Sequence, residues 1–269
     1  MKAPTQSSPT RMGDGVEIAS APKPLVSRDD PSGNRLLAAL SPADRALVRP
    51  NLEFVPLKVR QILERPGEPI AHAHFVESGL VSMIGVSQAN HRIEVGMVGH
   101  EGVTGLGIVL GAERSSNEAL VQSSGTALRI SSSALREIMA TSPTFTDTLL
   151  RYVHVFLAQA NHTAVAAGCG KIHERLARGL LMWHDRVRDD QFSVTHDFLA
   201  LLLGVQRPGV TVALHELEGE GLIRSTRNMV RILDRSGLQR AANGYYGSPE
   251  AAYDQAIGGA LVRPRSVPM

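Results

Sequence analysis

The spacing of apolar residues changes along the chain and divides it into segments. Residues 1–34 are rich in Pro, Ser, Gly and charge with almost no apolar period, which predicts a disordered N-terminal arm. SPAD at residues 41–44 has the order of a helix start, with a hydroxyl at the N-cap followed by Pro and an acid. Over residues 53–130, short apolar stretches alternate with frequent glycines, which is typical of brief strands in a barrel or sandwich.

One long helix is predicted after this β segment. Its apolar residues recur at steps of four and three, the seam that a helix needs to pack lengthwise against another helix. We interpret the seam as a dimer interface between two copies of the helix, with packing on the chain's own β segment as the alternative. The seam consists of Leu149, Val153, Phe156, Ala160, Thr163 and Ala167. Gly168 and Gly170 end the helix and predict a hinge.

Two shorter helices are predicted nearer the C-terminus. Thr195 is a candidate N-cap of the first helix. Gly204 separates the two, and a steep turn between helices favours a residue that tolerates positive φ. Pro208 is acceptable only in the first turn of a helix, so the second helix is predicted to start near Gln206 and Arg207.

Strand-like segments at residues 222–224 and 229–233 follow and complete the order of a winged helix-turn-helix. The N-terminal end of a recognition helix enters the major groove, where Arg207 can make a bidentate contact with guanine. Gln206 and Thr211 are further candidates for base contacts, and Thr211 can also touch a thymine methyl. The arginines of the hairpin are candidates for phosphate contacts, with a solvated hairpin face as the alternative. They are Arg224, Arg227 and Arg231.

Composition narrows the class of protein. The 269 residues suffice for two cores, and 43% hydrophobic against 20% charged residues is ordinary for a globular protein. The single cysteine, Cys169, excludes an internal disulfide and a multi-cysteine iron–sulfur cluster. We expect a cytoplasmic protein with no contact to a membrane, because no apolar run approaches a membrane span and the N-terminus lacks a signal pattern. With a net charge of only +2, binding to a polyanion depends on local charge placement.

The sequence resembles the Crp/Fnr family of bacterial transcription regulators over roughly residues 36–242. The resemblance is strongest in THDFLALLLGVQRPGVTVALHELEGEGLI, and LSPADRAL and GMVGHEGVTGLGIVLG resemble the family's sensor domain. It implies an α+β fold with three parts, followed by a flexible tail at residues 243–269. The parts are an N-terminal double-stranded β-roll similar to cyclic-nucleotide-binding domains (35–144), a dimerisation helix and hinge (145–170), and a C-terminal winged helix-turn-helix domain (171–242).

The resemblance also implies the function and its partners. Members of the family are homodimeric transcription regulators rather than enzymes. They bind near-palindromic operators in double-stranded DNA, and they also bind RNA polymerase. The family usually contacts bases through Arg, Glu and a second Arg on the recognition helix. The matching positions here hold Arg207, Pro208 and Val212, so we expect a different or looser operator.

An effector pocket is implied in the β-roll. In cyclic-AMP-binding members a Gly-Glu pair holds the ribose and an Arg-Ser pair holds the phosphate. Gly99 and Glu101 match the first pair with one residue inserted, while Ser115 and Ser116 stand at the second pair and Arg114 is one place off. Because a cyclic phosphate would lack its arginine partner, we expect an effector other than cyclic AMP, or none.

The histidines of the β segment leave two alternatives. A haem-binding branch is one, since His72, His74 and His100 lie there, but no spacing selects an axial ligand. A cupin-like metal-dependent enzyme is the other, since His72, His74 and Glu77 resemble the cupin metal ligands. Strand alternation places the two histidines on one face and Glu77 on the opposite face. We therefore prefer the DNA-binding regulator, with no metal.

Overall fold

The computed structural model describes residues 33–187, 189–258 and 261. The predicted N-terminal arm therefore lies almost entirely outside the described residues. The helices are α1 (Arg35–Ala38), α2 (Pro42–Val48), α3 (Leu106–Val109), α4 (Ser132–Thr141), α5 (Pro143–Cys169), α6 (Ile172–Arg186), α7 (His196–Leu203), α8 (Arg207–Gly219), α9 (Arg235–Ala241) and α10 (Ser248–Ala256). The strands are β1 (Glu53–Leu57), β2 (Ile62–Glu64), β3 (His72–Val86), β4 (Arg92–Val98), β5 (Glu118–Ser131), β6 (Gln191–Ser193), β7 (Ile223–Thr226) and β8 (Met229–Ile232).

Strands β1 to β5 form one antiparallel sheet in the order β1-β5-β3-β4, with β2 also paired to β5. We expected brief strands, but β3 and β5 have 15 and 14 residues and remain paired over most of that length. Their register shifts around Gly79, whose φ is +85°. A Cβ there would stand 2.6 Å from the carbonyl oxygen of Ser123, so the bulge requires glycine.

Helix α5 packs on this sheet with the face that we predicted for a dimer. Leu149, Val153 and Phe156 are 1%, 5% and 7% exposed because they belong to the subunit's own cores. The ring of Phe156 lies 2.9 Å from where a Cβ on Gly96 of β4 would stand. The predicted dimer seam is therefore wrong at these three positions. The spacing correctly identified a buried stripe, but it carries no information on which surface covers that stripe.

The second half of the seam and the hinge lie at the end of α5. Ala160, Thr163 and Ala167 are half-buried, and the Thr163 hydroxyl accepts a hydrogen bond from Arg178 Nη2 on α6 at 3.0 Å. Helix α5 ends at Cys169 and α6 begins at Ile172, so the helical conformation is interrupted at Gly170, inside the predicted hinge.

The C-terminal domain has the predicted winged helix-turn-helix order. Thr195 caps α7 by accepting a bond from the amide of Phe198 at 3.1 Å, and Gly204 has φ +61° in the turn. Helix α8 starts at Arg207 with Gln206 as its N-cap and Pro in the first turn. Strands β7 and β8 form the hairpin, and β6, which we did not predict, adds a third strand beside β8.

The apolar faces of α7 and α8 lie in one core with α6, α9 and the hairpin. This core also takes in Leu80 and Met97 from the sheet, so the two domains are in contact. Within the described residues, no single helix is long and apolar enough to cross a membrane, although α7 and α8 together, bent by 97°, reach that length and composition.

Residues 243–269 were expected to form a flexible tail, and that expectation is wrong for their described part. Helix α10 packs against α5, and Tyr253 and Leu261 are 0% and 3% exposed in the sensor-domain core. The Tyr253 hydroxyl donates to the carbonyl oxygen of Glu101 at 3.0 Å. The pattern was too weak to predict this helix, because Pro249 and Tyr253 are the only apolar residues within it that are fully buried.

Candidate DNA-binding surface and interdomain site

Helix α8 buries one face and exposes the other. Its buried side consists of Val210, Ala213, Leu214 and Leu217. The opposite side presents Pro208, Val212 and His215, which follow one another at steps of four and three and are all exposed. Val212 is 58% exposed. The helix thus offers a solvent-facing surface that begins at its amino end.

Arg207 is exposed at that end and forms an ion pair with Asp197 at the start of α7. Arg207 Nε donates to Asp197 Oδ1 at 2.5 Å, and the two side chains are 64% and 63% exposed. This hydrogen bond lowers the pKa of Asp197 and raises the pKa of Arg207. A pair this exposed contributes little stability, so the guanidinium can exchange Asp197 for another acceptor at little cost.

The side chains of Gln206 and Thr211, the other predicted base contacts, differ in exposure and in the hydrogen bonds that they already make. Gln206 is exposed, and its side chain makes no capping bond to the helix. Thr211 is half-buried, and its hydroxyl donates to the carbonyl oxygen of Arg207 at 3.2 Å. The hydroxyl of Thr211 is therefore already used within the helix.

The hairpin arginines are all exposed. Arg224 and Arg231 stand directly opposite each other on β7 and β8, while Arg227 lies in the turn beside Asn228, whose φ is +58°. Like charges directly across two strands destabilise a hairpin. The arrangement therefore favours an anionic partner such as a phosphate, which would relieve the repulsion.

A buried ion pair joins the sensor domain to the first helix of the C-terminal domain. Arg186 Nε, at the end of α6, donates to Glu101 Oε1 at 2.7 Å, and the two side chains are only 1% and 2% exposed. Glu101 also accepts a bond from the amide of Gly99 at 3.1 Å. Burial lowers the pKa of the Arg186 guanidinium, but the carboxylates of Glu101, Glu250 and Asp185 outweigh burial and raise it.

The predicted effector pocket is only partly assembled. Gly99 and Glu101 are bonded to each other, but the cleft beside Glu101, about 270 Å³ including its open mouth, is not lined by Arg114, Ser115 or Ser116. Its lining includes Tyr152, Gln159, Arg186, Glu250 and Tyr253.

The predicted phosphate side of the pocket is occupied by contacts within the sensor domain. Arg114 is exposed and donates to the carbonyl oxygen of Gly67 at 2.7 Å. The Ser115 hydroxyl donates to Glu64 Oε2 at 2.9 Å, and Ser116 is exposed. With Glu101 held by Arg186, these residues do not fit a cyclic nucleotide. Sequence reasoning missed Arg186 because no motif links it to a residue 85 positions away.

Glu94 is a second buried acid at the domain contact. It lies on β4, is 2% exposed and accepts a hydrogen bond from Ser82 of β3. Burial raises the pKa of Glu94 to about 8, although Ser82 and the charges of Arg178 and Arg186 on α6 oppose the shift. Glu94 is therefore mostly protonated at neutral pH.

The histidines and Glu77 do not form a metal site. His74 is 6% exposed, its Nδ1 lies 3.3 Å from the Thr104 hydroxyl, and burial lowers its pKa to about 4. Glu77 accepts a bond from the amide of Gly33. Among the residues that the structure describes, no group of three or more His, Cys, Asp or Glu could hold a metal ion.

Comparison with known families places both domains. The family model described as a cyclic nucleotide-binding domain matches residues 54–142, and the model described as a Crp-like helix-turn-helix domain matches residues 174–241. The chain belongs to the Crp/Fnr family of transcriptional regulators. It is a DNA-binding regulator of the Crp/Fnr type, and the comparisons give no support to a cupin-like enzyme.

Individual relatives of this Crp/Fnr regulator agree with that assignment. The chain is 26% identical over 198 residues to the transcriptional regulator SdrP of Thermus thermophilus, covering 71% of this chain and 94% of the relative. Two solved structures share its fold. FixK2 of Bradyrhizobium japonicum gives a TM-score of 0.62 at 16% identity, with 71% of this chain and 96% of the other covered. A Crp/Fnr-family regulator of Thermus thermophilus gives 0.58 at 23% identity, with 72% and 100% covered.

Proposed function

We propose that this regulator acts as a cytoplasmic homodimer that inserts α8 into the major groove at each half of a near-palindromic operator. The observation that carries the proposal is the exposed amino end of α8, with Arg207 and Gln206 at the surface while the other face lies in the core. The exposed arginines of the hairpin support phosphate contacts beside the groove. Dimer symmetry then sets the two half-sites about 34 Å apart.

Arg207 is the proposed guanine contact. We expect Arg207→Ala to weaken binding to the preferred operator by about 1–3 kcal/mol and to flatten the preference at one base position. Titration of labelled duplexes by fluorescence anisotropy, with specific and random sequences at the same salt concentration, measures both effects. Arg65→Ala is the matched control, because Arg65 is an exposed arginine of the sensor domain paired with Glu68. An equal loss on specific and random DNA would contradict base contact by Arg207.

The dimer is proposed to form through the face of α5 that points away from the sheet. Leu150 and Leu157 are 42% and 52% exposed, and with Ala164 they recur at seven-residue intervals. His154 and Asn161 are exposed between them. This stripe is displaced by one residue from the predicted seam, which corresponds to a rotation of about 100° around the helix. A second copy of α5 would cover it.

Leu157→Glu tests this interface. Because the substitution places charge in an apolar seam, we expect it to convert the dimer to a monomer and to weaken binding to a full operator while sparing most affinity for a half-site. Multi-angle light scattering gives the mass directly. Leu110→Glu is the control, because Leu110 is 61% exposed on the sensor domain. A dimeric Leu157→Glu variant would exclude this face.

The sensor and DNA-binding domains are proposed to be coupled through α5, the hinge at Gly170 and the pair Glu101–Arg186. Cyclic AMP is not the proposed effector, because Glu101 is held by Arg186 and Arg114 bonds the Gly67 carbonyl. An effector would therefore use other groups. RNA polymerase is a proposed partner on the strength of the family.

A further inference from the structure

We propose that Val212 contacts the C5-methyl group of a thymine in the operator half-site, and so determines a base that Arg207 does not reach. The proposal rests on the proposed placement of α8 in the major groove. It adds the chemistry of a second recognised position to the guanine assigned to Arg207.

The position of Val212 carries the proposal. It lies at the centre of the outward face of α8, between Pro208 and His215, and its 58% exposure places it among the most exposed large apolar side chains of the described residues. A single exposed valine is unremarkable on an ordinary surface. Here, however, Val212 stands on the face opposite the buried stripe of the proposed recognition helix, where charged or polar residues normally face water.

The chemistry selects the ligand. A valine side chain has no hydrogen-bonding group, so it can discriminate between base edges only through apolar contact. In the major groove, the C5-methyl of thymine is the apolar group that the four standard bases offer. Burying it against Val212 removes two apolar surfaces from water at once. Cytosine and uracil lack this methyl, whereas 5-methylcytosine carries it.

The spacing of Arg207 and Val212 along α8 limits how far the thymine lies from the guanine. Val212 is five residues beyond Arg207, which corresponds to about 7.5 Å along the helix axis. Base pairs in B-DNA are about 3.4 Å apart. Because α8 need not run parallel to the DNA axis, the thymine is expected within about two base pairs of the guanine that Arg207 contacts.

Thr211 is the competing source of a methyl contact. It neighbours Val212 and carries a methyl group, but it is half-buried and its hydroxyl is bonded to the Arg207 carbonyl. Thr211→Ser removes this methyl and retains the hydroxyl. It is therefore the matched control for Val212→Ala, which shortens the neighbouring apolar side chain.

The experiment replaces one methyl group in the DNA. After the half-site has been defined by selection from random duplexes, each thymine is replaced in turn by deoxyuridine, and dissociation constants are measured by fluorescence anisotropy. We expect one position at which uracil weakens binding about three- to fivefold, the contribution of burying one methyl group. In Val212→Ala this discrimination should fall towards onefold, and in Thr211→Ser it should persist. At that position, 5-methylcytosine should bind better than cytosine.

The outcomes separate the two proposals. Absence of any salt-dependent, sequence-selective binding would overturn the proposed function itself. Selective binding with equal affinity for thymine and uracil at every position would overturn only the methyl contact, as would discrimination that disappears in Thr211→Ser and survives in Val212→Ala.

Discussion

Replacing Arg186 by Met is expected to lower the free energy of unfolding by about 3–5 kcal/mol, because it leaves the buried carboxylate of Glu101 without its charged partner. Both side chains are almost fully buried, so the carboxylate is poorly solvated once the guanidinium is removed. Urea denaturation followed by circular dichroism measures the loss.

A double-mutant cycle isolates the pair. Glu101→Gln combined with Arg186→Met replaces both charges by neutral groups and should recover much of the stability lost in the single variant. Arg240→Met is the control, because Arg240 is 75% exposed and its pair with Asp234 is worth little. The unfolding free energies lost in Glu101→Gln alone and in Arg186→Met alone are compared with the loss in the double variant. If the two separate losses simply add up to the loss in the double variant, Arg186 stabilises the domain contact through groups other than Glu101.

Replacing Glu94 by Gln is expected to remove a decrease in the free energy of unfolding that occurs in the wild type as the pH rises. Burial raises the pKa of Glu94 from 4.5 to about 8 in the folded state. The folded protein therefore binds more protons than the unfolded chain between these two values, and the stability of the wild type falls as pH rises through this window. The slope is at most about 1.4 kcal/mol per pH unit. Glutamine imitates the protonated acid and should remove this slope.

The difference between the two proteins is the quantity to measure. Glu94→Gln should match the wild type near pH 4.5 and exceed it in unfolding free energy at pH 8. His74 and Asp185, whose pKa values are shifted to about 4 and about 6, act equally in both proteins and cancel. Equal slopes in the two proteins between pH 6.5 and 8 would show that Glu94 is ionised in the folded protein at neutral pH.

Local chemistry was predictable from the sequence. The cap at Thr195, the positive φ at Gly204 and the helix start at Arg207 each follow from what one residue type can do with its own backbone. The hairpin followed from the two strand-like segments at residues 222–224 and 229–233. These features made the winged helix-turn-helix recognisable without any contact between distant residues.

Contacts between distant segments were less predictable. Leu149 and Leu150 are both apolar and adjacent in sequence, so spacing alone could not show which of them packs on the sheet. The Glu101–Arg186 pair joins segments 85 residues apart that share no pattern. The same distance explains why the sequence did not reveal Arg186 as the partner of Glu101 in the predicted effector pocket.

The placement of α10 has a consequence for protein synthesis. Tyr253 and Leu261 belong to the same core as Leu36 and Phe75, so the sensor domain lacks part of its interior until residues 248–261 are translated. The sensor domain therefore cannot complete this core before α10 has left the ribosome. A chain that stops before α10 would expose the apolar residues that Tyr253 and Leu261 otherwise cover, and chaperones and proteases recognise such surfaces.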